Sequence, residues 1–332
     1  MQALMMTDYN RLELIDVPEP EIVRPDDVIV AIRAAGVCGS DLHGFTGASG
    51  RRRPPLIMGH EASGDVVAVG PGVEDLQVGT RVAIHPIVVR DGKRQLMGMD
   101  APGAFAPRVV WPAANLHRLP DTVSYEAGSL VEPLAIVIHA VARAEVPLGA
   151  TALVVGAGTI GLLVAAVLRH RGVERIVISD LVEERLDVAR RLGLGTAINP
   201  RDTDVVATVR SLTEGRGADV AFEAVGTGPS VAQAHAAARD GGTVVWIGNN
   251  LKTIEIDMQQ VVTRELVVRG TYGMTADDFA DAITMLEAGV IDTDVLINKR
   301  STLADGPSVF GALIGSPDVI KCVFTFPGGD EA

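Results

Sequence analysis

The chain has 332 residues, of which 47% are hydrophobic and 21% are charged. This balance is typical of globular proteins and excludes a disordered chain, and the length suits about two domains of roughly 150 residues each. The formal net charge of −13 argues against an extended phosphate-binding surface, so nucleic acid is not expected as a partner.

The two cysteines, Cys38 and Cys322, are too few for a disulfide framework in a chain of this length. A reducing, cytoplasmic location is therefore expected. The first residues lack a basic stretch followed by a long apolar run, so no signal peptide is predicted. Polar residues and glycines interrupt the apolar segments, and no membrane span is predicted.

The first hundred residues contain short β-branched runs separated by glycine and proline. Strands are predicted at 28–34, 64–70 and 82–84. Their spacing favours a small barrel or sandwich over βαβ units. The chain is therefore expected to begin with a β-rich domain.

Strands and helices alternate from about residue 133 onward. The predicted helices are 133–143, 162–168, 183–192 and 276–288, and the predicted strands are 151–155, 175–180, 219–223, 243–247, 266–269 and 319–326. Such alternation predicts a parallel, doubly wound sheet. After about residue 275 the pattern becomes mixed again, and the chain is expected to return to the first domain.

A glycine-rich segment, Gly156-Ala157-Gly158-Thr159-Ile160-Gly161, lies between a predicted strand and a predicted helix. Gly156 would permit a tight turn, Gly158 would let the backbone approach a pyrophosphate, and Gly161 would let helix and strand pack closely. Asp180 ends the next strand, at the spacing expected for a carboxylate that binds the ribose hydroxyls. Because this carboxylate would repel a 2′-phosphate, the pattern favours NAD over NADP.

Other cofactor contacts are predicted around this loop. Thr159 and Ile160 lie inside it, and Arg185 would lie either along the adenosine or on a solvated helix face. The nicotinamide end is expected near Val225 and the Ile247-Gly248 pair, because ligands of such sheets bind at the carboxyl ends of strands.

Four side chains in the first domain are usable zinc ligands: Cys38, His60, Glu61 and Glu132. Thiolate, imidazole and carboxylate all suit this ion. Their local spacing contains neither CxxC nor HExxH, and a lone cysteine is often simply a small buried hydrophobe. The spacing alone therefore leaves the metal site open.

Two segments resemble the signatures of the zinc-containing alcohol dehydrogenases in the medium-chain dehydrogenase/reductase superfamily. They are residues 36–43, Gly-Val-Cys-Gly-Ser-Asp-Leu-His, and residues 59–73, which contain Gly-His-Glu-x2-Gly-x5-Gly-x2-Val. Residues 131–135, Val-Glu-Pro-Leu-Ala, resemble the sorbitol (polyol) dehydrogenase branch, which has glutamate where liver-type enzymes have a zinc-binding cysteine. The resemblance covers essentially the whole chain. It implies an α/β protein with a β-rich GroES-like catalytic domain at 1–132, an NAD-binding Rossmann domain at 133–274, and a return to the catalytic domain at 275–332.

The resemblance also implies roles for individual residues. Cys38 and His60 would bind the catalytic zinc, and Glu61 would be a third ligand or would alternate with water and substrate. Glu132 would bind zinc directly or hold the zinc-bound water. Asp41 would hydrogen-bond the far nitrogen of His60.

Ser40 and His43 would relay a proton from the substrate to solvent, according to the same resemblance. Local alternatives are a turn residue for Ser40, a surface histidine for His43, a helix N-cap for Asp41 and a surface salt bridge for Glu61. The implied reaction is the reversible oxidation of a secondary alcohol (a polyol, sugar or cyclitol) to a ketone, through a zinc alkoxide and hydride transfer to NAD.

The sequence departs from the family at two places. Residues 85–105 lack the four cysteines of a structural zinc lobe, so one catalytic zinc per subunit and no structural zinc are expected. Residues 270–274, Gly-Thr-Tyr-Gly-Met, lack the arginine of the sorbitol dehydrogenases, which weakens the polyol assignment. A threonine- or butanediol-type dehydrogenase therefore stays open, as does a zinc-free, quinone-reductase-like nucleotide-binding protein.

Two further expectations concern assembly and charge. The family usually pairs its cofactor-binding sheets edge to edge, so a homodimer or homotetramer is expected. The run Arg51-Arg52-Arg53 is interpreted as a solvated turn rather than a contact for an anionic group of the substrate.

Overall fold

The computed structural model describes residues 1–48 and 50–327. The chain folds into two compact units. Unit 1 contains Met1–Glu132, Ala282–Ala288 and the chain from Ile297 onward, and unit 2 contains Pro133–Asp281 and Gly289–Leu296. The return to unit 1, predicted at residue 275, takes place in two steps in the structure.

The strands in chain order are β1 Gln2–Asp8, β2 Arg11–Asp16, β3 Asp27–Val37, β4 Leu56–Ile57, β5 Glu61–Val69, β6 Arg81–Ile84, β7 Ile87–Arg90, β8 Lys93–Leu96, β9 Arg108–Pro112, β10 Leu116–Arg118, β11 Thr151–Val155, β12 Arg175–Ser179, β13 Thr196–Ile198, β14 Ala218–Glu223, β15 Ala238–Trp246, β16 Val267–Gly270, β17 Lys299–Thr302 and β18 Cys322–Thr325. The α-helices are α1 Gly39–Phe45, α2 Tyr125–Gly128, α3 Val131–Ala144, α4 Thr159–His170, α5 Glu183–Arg191, α6 Val205–Ser211, α7 Gly228–Ala237, α8 Met258–Thr263, α9 Ala276–Glu287, α10 Thr293–Leu296 and α11 Gly306–Gly315.

Unit 2 is built on one parallel sheet with the strand order β13-β12-β11-β14-β15-β16. All five residues of β11 are buried, as expected of a strand covered on both faces. Residues 161–168 of α4 are buried as well, which explains why this helix is apolar all round. The doubly wound parallel sheet predicted from the sequence is confirmed.

Unit 1 contains a largely antiparallel sheet with the order β10-β6-β5-β3-β18-β17, in which β9 also pairs with β3. A smaller sheet has the order β2-β1-β4. The core between these strands includes Leu4, Ile32, Phe105 and Phe324, and the last two rings meet edge to face with centroids 5.2 Å apart. The β-rich first domain is therefore confirmed.

Strand register in unit 1 brings three distant parts of the sequence together. Gly36 of β3 lies opposite Glu61 of β5, and Val37 lies opposite Cys322 of β18. The residues that immediately follow β3, begin β5 and precede β18 therefore meet at one place.

The stretch without cysteines, 85–105, contains the hairpin β7-β8, which the sequence reading missed. Its turn residues Asp91 and Gly92 have φ of 52° and 73°, and two consecutive left-handed residues are typical of a tight hairpin turn. None of the helices in 1–48 and 50–327 is long and apolar enough to cross a membrane.

Candidate functional site

Three potential metal ligands converge in unit 1. One donor atom each from Cys38, His60 and Glu61 lie within 4.8 Å of one another, and the described residues contain no other group of three such ligands. Cys38 lies between β3 and α1, His60 directly precedes β5, and Glu61 is the first residue of β5. A thiolate, an imidazole and a carboxylate at this separation fit a zinc ion.

Asp41 supports the imidazole of this cluster. It is fully buried, its Oδ2 accepts the backbone N–H of Cys38 at 3.0 Å, and its Oδ1 lies 3.4 Å from His60 Nδ1. Burial alone would raise the pKa of Asp41, but the charges on His60 and Arg52 lower it to about 2. The ionised carboxylate can therefore accept the Nδ1 proton, which leaves Nε2 to bind a metal.

The environment of His60 agrees with a cation at this position. Burial alone would lower the pKa of His60, yet the charge on Asp41, followed by the sulfur of Cys38, raises it well above its usual value. The surroundings thus favour positive charge. Because a ligating imidazole is neutral, a bound metal would replace that proton.

A buried lysine holds the third ligand. Lys321 is 2% exposed, and its Nζ forms an ion pair with Glu61 Oε2 and donates to the carbonyl of Val37 at 3.2 Å. A Cβ atom on Gly36 would lie 2.3 Å from that Oε2, so only glycine leaves room for the pair. Sequence reasoning missed Lys321; its one signal was a lysine directly before an apolar strand.

Glu132 lies at the start of α3 and is 8% exposed. Burial, opposed by His60 and assisted by the charge on Glu61, raises the pKa of Glu132 to about 7. The charges of the cluster therefore act on this carboxyl group, although Glu132 is not one of the three residues whose donor atoms lie within 4.8 Å of one another. The positive charges of a divalent ion, Lys321 and Arg52 would be balanced by the negative charges of the Cys38 thiolate and three carboxylates. These carboxylates are Asp41, Glu61 and Glu132.

Ser40 and His43 are both half-buried on α1. Burial, followed by the charge on Arg52, lowers the pKa of His43, which keeps its imidazole neutral at pH 7. The interpretation of residues 51–53 as a solvated turn is wrong for Arg52, which is 3% exposed and reaches Asp41 and Ser40. The run of like charges concealed the one buried arginine in it.

The glycine-rich loop of unit 2 shows a different steric demand at each glycine. Gly156 has φ of 101°, in the left-handed region. A Cβ atom on Gly161 would lie 1.8 Å from the Gly156 carbonyl oxygen, whereas one on Gly158 would meet nothing within 4 Å. Gly158 also caps α4, whose first residues include Thr159 and Ile160. The open space before this helix end suits a pyrophosphate.

Asp180 follows β12 and contacts the same loop. Its Oδ2 accepts the Ala157 N–H at 2.7 Å, and its Oδ1 accepts the Val182 N–H at 2.9 Å. Arg185 Nη1 lies 3.7 Å from the Asp180 carboxylate. Arg185 therefore lies beside the carboxylate predicted to bind ribose, and its contact with the adenosine stays a prediction.

The carboxyl ends of β11, β14 and β15 meet at this loop. Val225 is 38% exposed and would contact a Cβ on Gly156, while Ile247 and Gly248 both donate their N–H groups to the Glu223 carbonyl at 2.9 Å. The buried side chain of Glu223, the last residue of β14, accepts the N–H of Val225 at 2.8 Å and so shapes this edge.

Comparison with known families decides the assignment. The profile for the alcohol dehydrogenase GroES-like domain matches residues 24–121, and the profile for zinc-binding dehydrogenases matches residues 159–288. The D-xylulose reductase of Saccharomyces cerevisiae is 31% identical, over 93% of each chain. The chain belongs to the zinc-containing alcohol dehydrogenase family. Its relatives place it in the polyol branch of the medium-chain superfamily.

Solved structures agree with this family along the whole chain. The 2R,3R-butanediol dehydrogenase of Bacillus subtilis has a TM-score of 0.91 at 32% identity, covering 98% of this chain and 99% of that one. A protein from Sinorhizobium meliloti 1021 in complex with NADP has a TM-score of 0.87 at 27% identity, with the same coverage. The protein is an oxidoreductase, a zinc-dependent alcohol or polyol dehydrogenase that uses NAD or NADP.

Proposed function

We propose that this dehydrogenase oxidises a secondary alcohol of a polyol, sugar or cyclitol to a ketone, with NAD as cofactor and a single zinc ion per subunit. The observation that carries the proposal is the convergence of the half-buried Cys38 with the buried His60 and Glu61 in one cluster. A zinc-free nucleotide-binding protein would not need these donors together.

The chain's own residues divide the work as follows. Zinc supplies a Lewis acid for the alcohol oxygen and the dinucleotide supplies the hydride acceptor. Cys38, His60 and Glu61 would hold the metal, and Asp41 would orient the imidazole. Glu132, whose pKa is raised to about 7, is suited to hold a water or hydroxyl group near the cluster.

Ser40 and His43 would carry the substrate proton outward. They are three residues apart on α1 and therefore lie on one face of the helix. The pKa of His43 is lowered by burial and by Arg52, so its neutral ring can accept the proton. This path explains why a serine and a histidine accompany the metal ligands.

The absence of a structural zinc is part of the proposal. A closed site of that kind needs four thiolates, and the chain has two cysteines. The hairpin β7-β8 occupies the corresponding stretch.

Butanediol-type activity is the second candidate. The butanediol dehydrogenase of Bacillus subtilis covers 98% of this chain, and residues 270–274 lack the arginine expected of a sorbitol dehydrogenase. A panel of sugar alcohols, cyclitols, threonine and 2,3-butanediol would separate these substrates by kcat/KM.

The metal is tested by elemental analysis of the purified protein together with Cys38→Ala. The intact chain should contain about one tightly held zinc ion per subunit, and the variant should lose at least about 100-fold in turnover because a direct ligand is gone. NADH binding, followed by fluorescence, should be unchanged. Full turnover by the variant, or by a protein stripped of metal, would contradict the zinc assignment.

The cofactor preference is tested by Asp180→Ala. The carboxylate lies beside the loop, where it would accept ribose hydroxyls and repel a 2′-phosphate. The variant should show a higher KM for NAD and a smaller preference for NAD over NADP. An unaltered ratio of kcat/KM for NAD to kcat/KM for NADP would show that Asp180 does not discriminate between the two riboses.

We propose that subunits associate through the free edge of the unit 2 sheet at β16. A cytoplasmic location remains a prediction from the cysteine content.

A further inference from the structure

Arg52 lies inside unit 1 beside the predicted metal cluster, although its neighbours Arg51 and Arg53 are exposed. Only 3% of Arg52 is accessible. Burying a guanidinium is strongly unfavourable unless an opposite charge and hydrogen bonds compensate the lost hydration. The contacts of this side chain therefore indicate its role.

The guanidinium group contacts two residues of the segment that carries Cys38. Its Nη2 lies 3.0 Å from Asp41 Oδ1 and donates to Ser40 Oγ at 3.2 Å, and its Nη1 donates to the Ser40 carbonyl at 2.6 Å. The same Nη2 lies 3.4 Å from His60 Nδ1. One planar group thus spans the start of α1 and the histidine before β5.

The far side of the guanidinium is tied to a separate loop. Arg52 Nε donates to the Gly98 carbonyl at 3.1 Å. A Cβ atom on Gly44 would lie 2.4 Å from Arg52 Cδ, so α1 has a glycine where the arginine stem passes. The stem and the head are therefore both confined, and the head cannot be replaced by water without loss of these contacts.

A metal ion at Nε2 of His60 requires the ring proton to be on Nδ1, which lies 3.4 Å from both Asp41 Oδ1 and Arg52 Nη2. That proton can be donated to the carboxylate but not to the guanidinium, which has no acceptor. Arg52 in turn occupies the other approach to the same Oδ1. The carboxylate is thereby held between the arginine and the imidazole ring, in the orientation that leaves Nε2 for a metal.

We infer that Arg52 is a positioning residue of the metal centre, which acts through Asp41 to hold His60 in its ligating orientation. The inference rests on the proposed zinc site and adds to it a residue outside the ligand set. Loss of an orienting partner of this kind typically weakens metal binding about 10- to 100-fold.

Zinc affinity of the full chain, measured by competition with a chromophoric chelator, tests this role without depending on turnover. Arg52→Met should bind zinc about 10- to 100-fold more weakly than the wild type. Arg52→Lys, which keeps the charge and most of the stem, should lie between the two. Arg53→Met, a change of the exposed neighbour in the same turn, is the matched control and should bind like the wild type.

Coupling to Asp41 is tested by Asp41→Asn and by the double variant with Arg52→Met. If Arg52 acts through Asp41, the two losses in affinity are not additive, and the double variant binds about as weakly as Asp41→Asn alone. The absorption spectrum of the cobalt-substituted protein should also change in Arg52→Met, because the ligand geometry around the metal changes.

The outcomes separate this inference from the proposed function. Wild-type affinity in Arg52→Met, or fully additive losses, would overturn the role of Arg52 while leaving the zinc site intact. A wild-type chain that binds no zinc would instead remove the proposed function. Circular dichroism and thermal unfolding of the metal-free proteins show whether Arg52→Met folds. If it does not fold, Arg52→Lys is the deciding variant, because lysine lacks the planar group that reaches both Asp41 and Ser40. Wild-type zinc affinity in Arg52→Lys would then overturn the inference.

Discussion

A methyl group on Gly161 would lie 1.8 Å from the Gly156 carbonyl oxygen, and this backbone atom cannot move without displacing the loop. Gly158, three residues earlier, has φ of −75° and open space in front of its Cβ position. Packing therefore requires glycine at position 161, whereas only a ligand would require it at position 158.

These two glycines make a matched pair of variants. Gly161→Ala should lower the free energy of unfolding by about 1–3 kcal/mol through overpacking. Gly158→Ala should leave it within about 0.5 kcal/mol of the wild type but weaken NADH binding by about tenfold or more, since its methyl group would lie where the pyrophosphate approaches. Urea unfolding and a fluorescence titration measure the two effects. Normal NADH affinity in Gly158→Ala would show that the dinucleotide does not approach there.

Two buried basic side chains form ion pairs beside the cluster. Lys321 and Arg52 are both nearly inaccessible, and each faces a carboxylate, Glu61 and Asp41 respectively. Each pair fixes a group that the cluster needs, one a ligand and the other a support for a ligand. Buried pairs of this kind are weak sources of stability, so their position beside the cluster indicates a functional role.

At the scale of the elements, β3 organises unit 1. It pairs with β5, β9 and β18, and its last residue directly precedes Cys38. A shift of one residue in this register would turn the side chains of a strand to the other face. The ligands therefore depend on correct pairing along the whole strand.

The first residue of β3, Asp27, connects that strand with the hairpin β7-β8. It is 2% exposed, accepts the Arg24 N–H at 2.8 Å and forms an ion pair with Arg90 of β7. Burial alone would raise the pKa of Asp27, but the backbone N–H groups and Arg90 outweigh it and lower that pKa. The carboxylate is therefore more stable in the folded chain than in the unfolded one.

Asp27→Asn should lower the free energy of unfolding at pH 7 by about 1–3 kcal/mol, as expected when a hydrogen bond to a charged group is lost. Because the folded pKa is the lower one, the contribution of Asp27 is fully present above the unfolded pKa of about 3.9 and is lost as the pH falls through the folded value. The difference between variant and wild type should therefore shrink below about pH 4.

Urea unfolding between pH 7 and pH 3 measures this dependence. Asp26→Asn, a change of the exposed preceding residue, is the control and should have little effect. A difference for Asp27→Asn that stays constant down to pH 3 would contradict an ionised Asp27 as the source of stability.

At the scale of the whole molecule, the exposed edge of unit 2 bears on assembly. Strand β16 ends the sheet order, and apolar side chains are exposed on it and on the preceding helix α8: Val267 of β16 is 40% exposed, and Met258 and Val262 of α8 are 60% and 66% exposed. An unpaired edge with apolar neighbours is suited to pairing with a second copy. This location agrees with the edge-to-edge association proposed above.

Val262→Lys should therefore shift the protein toward smaller species in light scattering coupled to size-exclusion chromatography. Val78→Lys is the matched control, because Val78 of unit 1 is also 66% exposed. If both variants keep the mass of the wild type, the edge beside β16 is not the subunit interface.

Much of this protein follows from local sequence. The doubly wound sheet, the loop at Gly156–Gly161 and the segments around Cys38 and His60 were all predicted, because each depends on residues close together in the chain. Hairpin β7-β8 was missed because β8, Lys93–Leu96, has little apolar alternation, although the Asp91-Gly92 pair that turns the hairpin is a local signal.

Only the tertiary structure decided how the charged residues are used. Lys321 meets Glu61 across 260 positions of sequence, through the register of β18 on β3. Arg52 points inward while the arginines on either side remain exposed, and nothing in the run itself distinguishes them. Burial and ion pairing arise from contacts between distant segments, whereas turns, caps and ligand motifs are set by neighbours in the chain. For this reason the sequence alone determined the candidate metal ligands and the cofactor loop, and the fold determined which charged side chains lie beside the metal cluster.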